Sequence, residues 1–281
     1  MRRQSHPLMP AIACAAVLAL AAATSLGGEA EAETGEGKDK AADRPHNTLT
    51  EKEKKAGWRL LFDGETAEQW RGFHREQLPE GWQVVDGTLA RVARGGDIIT
   101  REKFEHFDLK LDWKIAPGGN SGIFFRVVEQ HEGRRFGAVW HVGPEYQILC
   151  DARRGDRPPG KTNAGANYDL HAPEHDVVRP TGEWNQARLL VHGDRVEHYL
   201  NGKKIVSYEI GSEEWEQLVA GTKFRNHPFY GRIPVGHIAL QDHGSGVWFR
   251  NIRIRELDPP EAEADQEAQK ADKAEKDEKG G

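Results

Sequence analysis

The chain has 281 residues, 30% of them charged and 37% hydrophobic, with a formal net charge of -6. Its last 24 residues contain nine acids and four lysines, so the remainder of the chain is close to neutral. A nearly neutral core argues against a protein that binds nucleic acid through charge, and the length suits one large or two small domains.

The first 28 residues have the features of a secretory signal peptide. Arg2 and Arg3 precede an apolar, alanine-rich run from Leu8 to Leu26, which small residues follow. A membrane anchor is the alternative, but Pro10 and the small residues would make a weak span. We therefore expect an exported protein, periplasmic or secreted, with no membrane span once the signal is removed.

The regions on either side of the core are charged and poor in bulky side chains. Residues 29–56 are predicted to be a charged linker, and residues 258–281 a disordered charged tail. A single domain is expected between them, over residues 57–257. After signal removal Cys150 is the sole cysteine, and it is expected to be a buried, small apolar residue.

Within this domain, strand patterns with turn signals recur and helical periodicity is rare. Residues 107–115 alternate apolar and charged side chains, which predicts a half-buried antiparallel strand. Asp86-Gly87 and Asn201-Gly202 predict tight hairpins. Further strands are expected at residues 122–128, 188–200 and 247–254, and one short helix at residues 213–220. The pattern indicates an all-β jelly-roll sandwich of two packed antiparallel sheets.

Two strand-like phrases give the best indication of function. Successive strand side chains point to opposite faces, so Glu145 and Gln147 share one face while Tyr146, Ile148 and Cys150 share the other. By the same count, Gln241 and His243 lie opposite Ile238 and Leu240. Strands that each give one face to a core and the other to polar, titratable groups suggest a carbohydrate-handling sheet.

A third strand extends this predicted face. Phe124 and Arg126 point away from Ile123, Phe125 and Val127. The combined face holds an aromatic ring, an arginine, a carboxylate, two amides and an imidazole. This mixture suits a sugar, which presents flat C–H faces and pairs of hydroxyl groups. The plainer interpretation is a surface ion pair between Arg126 and Glu145 with solvated amides.

Other polar residues are more ambiguous. Asn120 either caps a Gly-Gly turn or lines the cleft mouth, and Tyr168 and Asp169 lie in a long polar loop beside it. His198 shares a face with Val196 and Leu200, which favours a core histidine, although it remains a candidate for substrate binding. Asp242 points inward, where it would brace the turn or orient His243, and it is also kept among the substrate-binding candidates.

The sequence does not define a metal site. None of the 13 histidines falls in a His-Glu-x-x-His pattern, and no Cys-x-x-Cys pattern occurs. No cofactor is therefore expected with certainty. Glu145 and His243, with His141 as a third ligand, could chelate a divalent ion only if the fold brings them together.

Several phrases, taken together, resemble one family. They are Gly119-Asn-Ser-Gly-Ile-Phe-Phe-Arg126, Glu145-Tyr-Gln-Ile-Leu149, Tyr168-Asp-Leu170, Glu183-Trp-Asn185, Val196-Glu-His-Tyr-Leu-Asn-Gly202 and Leu240-Gln-Asp-His-Gly244. The phrases are similar to those of 3-keto-disaccharide hydrolases, also described as 3-keto-glucoside 1,2-lyase/hydratase domains. The resemblance covers nearly the whole core, although Cys150 stands where the family often has an aspartate.

This resemblance implies a concanavalin A-like jelly roll and a substrate oxidised at C3 of the sugar. Elimination from such a sugar needs a base near C2, a cation or donor at O3, and an acid for the leaving oxygen. Glu145 or His243 would serve as base or acid, and Arg126 or a metal would stabilise the enolate. Gln147, Gln241 and Asn120 would position hydroxyl groups.

Three other functions remain open at this point. A conventional glycosidase on this fold usually carries a Glu-x-Asp-x-x-Glu strand, which the core lacks. A non-catalytic carbohydrate-binding module would need the aromatic face and the amides but no general base. A structural domain of the cell envelope would use the charged tail as its contact element.

Overall fold

The computed structural model describes residues 45–150 and 158–261. The predicted signal peptide, most of the linker and most of the tail lie outside these residues. The described residues form two α-helices, two 3₁₀ helices and fifteen strands: α1 (Glu51–Lys55), β1 (Arg59–Leu60), β2 (Trp70–Gly72), β3 (Trp82–Val85), β4 (Thr88–Arg91), β5 (Ile98–Thr100), β6 (Phe107–Ile115), β7 (Asn120–Val127), β8 (Gln130–His131), β9 (Arg134–Arg135), the 3₁₀ helix Val139–His141, β10 (Glu145–Leu149), β11 (Asn185–His192), β12 (Arg195–Leu200), β13 (Lys203–Glu209), α2 (Glu213–Ala220), the 3₁₀ helix Lys223–Asn226, β14 (His237–Leu240) and β15 (Val247–Glu256).

Two antiparallel sheets dominate the structure. The large sheet has the strand order β13-β12-β11-β6-β15-β4-β3, with β1 also paired to β15. The small sheet has the order β10-β7-β14-β5-β2. Strands that are neighbours in space are distant in sequence, as in β10, β7 and β14. This arrangement confirms the predicted all-β class and the two packed antiparallel sheets.

The core lies between the two sheets. On β6 the side chains of Phe107, Leu109, Leu111, Trp113 and Ile115 are buried, while those of the alternate positions from Lys110 onward are half-buried. From the small sheet, Ile123, Tyr146 and Leu240 enter the same cluster. Burying a large apolar side chain contributes roughly 1.5–3 kcal/mol, so this shared layer is what holds the sheets together.

The predicted hairpin turns are confirmed. Asp86 and Gly87 have φ of 48° and 69°, and Asn201 and Gly202 have φ of 49° and 83°. Both residues of each turn therefore take the left-handed conformation that asparagine, aspartate and glycine tolerate best. The prediction of strand structure over residues 188–200 is confirmed, and two strands occupy this range. The chain turns at Gly193, whose φ is 59°, and forms β11 and β12 as a further hairpin.

The predicted helix is confirmed as α2. The Ser212 hydroxyl accepts a hydrogen bond from the Trp215 amide at its first turn, and Trp215 and Val219 are buried. Within the predicted linker, residues 51–55 form α1, and Asn47 is buried against the large sheet. The Asn47 side chain donates to Gly87 O and accepts from Asn251 N. Folded structure therefore begins before Gly57.

The described helices are short. None of them combines the length and the apolar composition that a helical membrane span needs.

Candidate active site on the open face of the small sheet

Strand register brings the predicted polar residues to the face of the small sheet that points away from the core. Glu145 pairs with Phe124, and Phe124 pairs with Ala239. Two residues further along, Gln147 pairs with Gly122, whose carbonyl accepts from Gln241 N. Side chains two residues apart share a face. Glu145, Gln147 and Gln241 therefore lie on one surface, called the open face below.

Glu145 is the most deeply buried acid of this face. Its residue is 7% exposed, and loss of hydration raises the pKa of its carboxyl to about 8. The charge of Lys223 opposes this rise in pKa, and the charge of Asp97 adds to it. The carboxyl lies over Gly122, where a Cβ would come within 2.9 Å of Glu145 Cδ. Glycine at this position therefore makes room for the acid.

Three amide side chains, those of Asn120, Gln147 and Gln241, belong to the same face as this carboxyl. The side-chain nitrogen of Gln147 faces Glu145 Oε1 at 2.8 Å and Ser121 O at 3.2 Å. The other end of the Gln147 amide lies 3.3 Å from the Asn120 side chain. Gln241 Oε1 is buried and accepts no hydrogen bond from the described residues. A buried acceptor without a hydrogen bond destabilises a protein by about 1–3 kcal/mol, and a ligand hydroxyl that donated to this oxygen would remove that penalty.

A second acid, Asp97, lies at the start of β5 and was missed from the sequence. Burial raises the pKa of its carboxyl to about 6, although a hydrogen bond that Asp242 N donates at 2.9 Å lowers this pKa. The negative charge of Asp242 raises this pKa further, and His243 lowers it. Asp97 belongs to the row of Gln147 and Gln241, because its neighbour Ile98 pairs with Leu240.

The prediction that Asp242 binds substrate is not supported, because its carboxylate is fully engaged in bracing the loop. Oδ1 accepts from Arg91 Nε at 2.7 Å, and Oδ2 accepts from the amides of Gly95 and Gly96 at 2.7 and 2.9 Å. Partial burial raises its pKa, but these hydrogen bonds outweigh burial and lower it. The backbone amide of Asp242 thus holds Asp97 in place, while the next residue, His243, is exposed.

Residues 165–169, which run beside β10, form one wall of the cleft above the open face. Tyr168 N donates to Glu145 O at 3.0 Å, and the half-buried Tyr168 side chain lies within range of the electrostatic field of Glu145. Burial raises the pKa of Tyr168, and the charges of Glu145 and Asp169 raise it further. Asp169 has a φ of 65° and donates its amide to Lys161 O, so its carboxylate stays near the Tyr168 ring.

Two residues of the same wall were missed from the sequence. The Lys223 ammonium lies 4.8 Å from the centre of the Trp140 ring and 4.8 Å from that of Tyr168. Trp140 and Lys223 belong to separate 3₁₀ helices, Val139–His141 and Lys223–Asn226. Neither lies on a strand, so counting along strands could not place them.

The prediction that Arg126 is catalytic was wrong, because β7 is irregular at this residue. Arg126 has a φ of 56°, and the pairing of β7 with β14 shifts register nearby. Its guanidinium is buried and donates to Asp194 Oδ1 at 3.0 Å, Gly231 O at 2.8 Å and Gly193 O at 2.9 Å. A bulge breaks the alternation of side chains, so Arg126 ties the two sheets together instead of facing the cleft.

Two further candidates are buried in packing. Phe124 does face the open side, but it is 0% exposed because Val139 and Ala239 pack around it and Trp140 lies against that cluster. His198 is also 0% exposed and points into the core. Its Nδ1 lies 3.0 Å from Gly165 O and its Nε2 lies 3.3 Å from Tyr208 Oη. Both lack the access to substrate that was predicted for them.

The predicted metal ligands do not form a cluster. His141 stacks on His227 with ring centres 4.5 Å apart. Within residues 45–150 and 158–261, no three side chains of histidine, cysteine, aspartate or glutamate are grouped to hold an ion. Glu145 and His243 therefore give no metal centre in this part of the chain, and no chemical step is assigned to a metal below.

A cavity of about 510 Å³ continues from Asp97 along the edge of the open face. Its lining includes Phe73, Arg75, Arg94 and Gly137 as well as Asp97 and Asp242. Small-molecule sites are commonly concave and of this size, with a few convergent polar groups.

Known proteins match this chain over the whole sandwich. The model of a family described as "3-keto-alpha-glucoside-1,2-lyase-like domain" matches residues 57–255. A Bacteroides thetaiotaomicron protein named 3-keto-disaccharide hydrolase is 32% identical over 229 residues, which are 72% of this chain and 79% of that protein. A crystal structure of a candidate glycosyl hydrolase from Parabacteroides distasonis is 37% identical with a TM-score of 0.68, covering 76% of this chain and 100% of its own. A second such structure from the same organism is 30% identical with a TM-score of 0.55, covering 71% and 99%. The chain therefore belongs to the family of 3-keto-alpha-glucoside-1,2-lyase-like domains.

Proposed function

We propose that this protein cleaves 3-keto-disaccharides, by eliminating the C1 substituent and then adding water. Family membership supports a carbohydrate hydrolase, and the named Bacteroides relative supports the oxidised substrate. The observation that carries the proposal is the buried Glu145 carboxyl, which shares the open face with a second acid of lower pKa, Asp97. Acids whose environments separate their pKa values are suited to opposite roles in proton transfer.

The substrate supplies the driving force for the chemistry. A ketone at C3 acidifies the proton on C2, and loss of this proton leaves an enolate whose negative charge is on O3. When the ketone re-forms, the electron pair makes a C1–C2 double bond and the C1–O1 bond breaks. Water then adds to C1 and a proton returns to C2. The products are a 3-keto-monosaccharide and the second sugar, so one water is consumed overall.

The two pKa values support one assignment of the acid and the base. With a pKa of about 8, Glu145 is largely protonated near neutral pH and donates a proton to the departing O1. With a pKa of about 6, Asp97 is largely ionised and takes the C2 proton. His243 acts electrostatically on Asp97 and is exposed, so it is the alternative base. The amides of Gln147, Gln241 and Asn120 position the sugar hydroxyls.

A conventional glycoside hydrolase is the second candidate. Two acids on one sheet face are what such an enzyme requires. No sequence motif marks this pair, because Glu145 begins β10 and Asp97 directly precedes β5, nearly fifty residues earlier in the chain. In that mechanism the oxidised C3 would play no part. The two functions therefore differ in their dependence on the ketone.

The test compares a 3-keto-disaccharide with the same unoxidised disaccharide. We expect release of the second sugar from the keto substrate alone, with transient formation of the C1–C2 enone. Glu145→Gln and Asp97→Asn should each abolish release, while the exposed control Glu80→Gln should retain it. Equal cleavage of the unoxidised disaccharide would favour the conventional hydrolase. Cleavage of neither substrate would refute both mechanisms.

We further propose that the protein is exported, on the basis of the signal-like residues 1–28. Expression of the full chain in a Gram-negative host, followed by cell fractionation and N-terminal mass analysis, tests this proposal. A processed N-terminus in the periplasm or medium is expected. An unprocessed protein in the cytoplasm would contradict export without affecting the enzymatic proposal.

A further inference from the structure

We propose that Lys223 is a catalytic residue, whose ammonium donates a hydrogen bond to O3 of the sugar as negative charge develops there. This inference rests on the proposed elimination and adds the group that such a reaction needs at its enolate. The expectation from sequence assigned this role to Arg126, which the structure commits to contacts between the sheets.

The local structure fixes Lys223 at the cleft wall. It is the first residue of the 3₁₀ helix Lys223–Asn226, where the Thr222 hydroxyl accepts from Phe224 N at 3.2 Å. Phe224 is buried and stacks on Tyr230 with ring centres 4.0 Å apart. The residue after Lys223 is thus anchored in the core, so the lysine stem leaves the protein at a defined point.

Three aromatic rings lie close to the ammonium of the exposed residue Lys223. Its nitrogen lies 4.8 Å from the ring centres of Trp140 and Tyr168, and 5.3 Å from that of Phe224. The negative faces of aromatic rings attract a cation without neutralising its charge. A lysine held by ring faces, and not by a carboxylate, has N–H donors to offer a ligand.

The ammonium also lacks a carboxylate partner in the part of the chain that the structure describes. The ion pairs of these residues do not include Lys223, although its field reaches the buried carboxyl of Glu145. Two other cations of the described residues are occupied, since Arg91 pairs with Asp242 and Arg71 with Glu129. Lys223 is thus a cation positioned beside the proton donor and available to a negative oxygen.

In the proposed step, Lys223 supplies a hydrogen bond and keeps its proton. The C2–H bond breaks as Asp97 takes the proton, and its electron pair forms a C2=C3 bond. The former C=O π pair moves to O3, where the ammonium donates. The charge returns as C3=O re-forms, C1=C2 forms and O1 leaves with a proton from Glu145. The cation therefore favours the intermediate over the neutral ketone.

The experiment separates enolate formation from bond cleavage. A 3-keto-1,5-anhydro sugar has no glycosidic oxygen at C1 to expel, so exchange of its C2 hydrogen for deuterium, followed by NMR in D₂O, reports enolate formation without glycosidic cleavage. Cleavage of a 3-keto-disaccharide gives kcat and KM in parallel. The variants are Lys223→Met, Lys223→Gln and the charge-preserving Lys223→Arg. Lys203→Met, on the exposed face of β13, is the matched control.

We expect Lys223→Met and Lys223→Gln to lower both the exchange rate and kcat by about 10²-fold, the usual effect of removing one oxyanion donor. KM should change little, Lys223→Arg should recover much of the loss, and Lys203→Met should behave as wild type. An active wild type with unimpaired exchange in both neutral variants would overturn the role of Lys223 alone. Loss of kcat without loss of exchange would also overturn it. A wild type that fails to cleave the keto substrate would instead refute the proposed function.

Discussion

Replacing Glu145 with glutamine should stabilise the protein in a pH-dependent way. The carboxyl has a pKa of about 8 in the folded state, against 4.5 for an ordinary glutamate, because burial removes its hydration. The folded state therefore binds this proton more tightly than the unfolded state. Wild-type stability falls as pH rises from the ordinary value through the folded value, and glutamine, which does not titrate, escapes this loss.

The size of the effect follows from the pKa shift. A rise from 4.5 to about 8 corresponds to roughly 5 kcal/mol between the two protonation states. Linkage then gives Glu145→Gln an advantage of about 1 kcal/mol at about pH 5, growing to roughly 5 kcal/mol at about pH 9. Since whole domains are stable by about 5–15 kcal/mol, the difference at high pH is large.

The assay is urea unfolding followed by tryptophan fluorescence across this pH range, with Glu80→Gln as the exposed control. The quantity of interest is the difference in free energy of unfolding between Glu145→Gln and wild type. A difference that does not change with pH would refute the raised pKa of Glu145, and with it the assignment of this residue as the proton donor.

Three further predictions concern the residues around Glu145. In Gly122→Ala the new Cβ would collide with the Glu145 carboxyl, so kcat should fall steeply while the protein still folds, and the control Gly160→Ala, whose Cβ meets nothing closer than 3.4 Å, should be active. Circular dichroism and steady-state kinetics check this prediction, and normal turnover of Gly122→Ala would show that the Glu145 carboxyl tolerates displacement. Arg126→Ala leaves the carbonyls of Gly231 and Gly193 without their hydrogen-bond donor, so the free energy of unfolding should fall by about 2–4 kcal/mol while KM is unchanged. Unaltered stability in urea together with lost turnover would instead indicate that Arg126 acts in catalysis. Asp242→Asn removes a negative charge that raises the pKa of Asp97, so the pKa of that base should fall and the acidic limb of the pH–kcat profile should move to lower pH. An acidic limb at the same pH as in wild type would exclude Asp97 as the base.

Much of the fold follows from local patterns. The alternation over residues 107–115 predicts β6, and Asp86-Gly87 and Asn201-Gly202 predict hairpins whose φ angles have the required sign. Counting along a strand also placed Glu145 and Gln147 together, because β10 is regular. Such counting needs nothing beyond the period of two.

The rest of the site depends on features that strand periodicity does not encode. Arg126 itself has a positive φ, which turns its side chain away from the open face, and no local sequence pattern predicts that irregularity. Asp97 precedes a strand of three residues, too short for a periodic signal. Lys223 reaches Glu145 only because the 3₁₀ helix that carries it packs beside a strand more than seventy residues earlier in the chain. Tertiary packing alone brings these groups together.

The pairing of residues 165–168 with β10 also bears on how the protein behaves in a crowded solution. β10 ends the small sheet, and an end strand normally offers free amides and carbonyls to a neighbouring molecule. Here Gly165 N donates to Gln147 O, and Gln147 N donates to Ala166 O. The strand that carries Glu145 is therefore already capped by its own chain. A substitution that detached residues 165–168 from β10 would expose the unpaired amides and carbonyls of this edge strand, so aggregation should accompany the loss of catalysis.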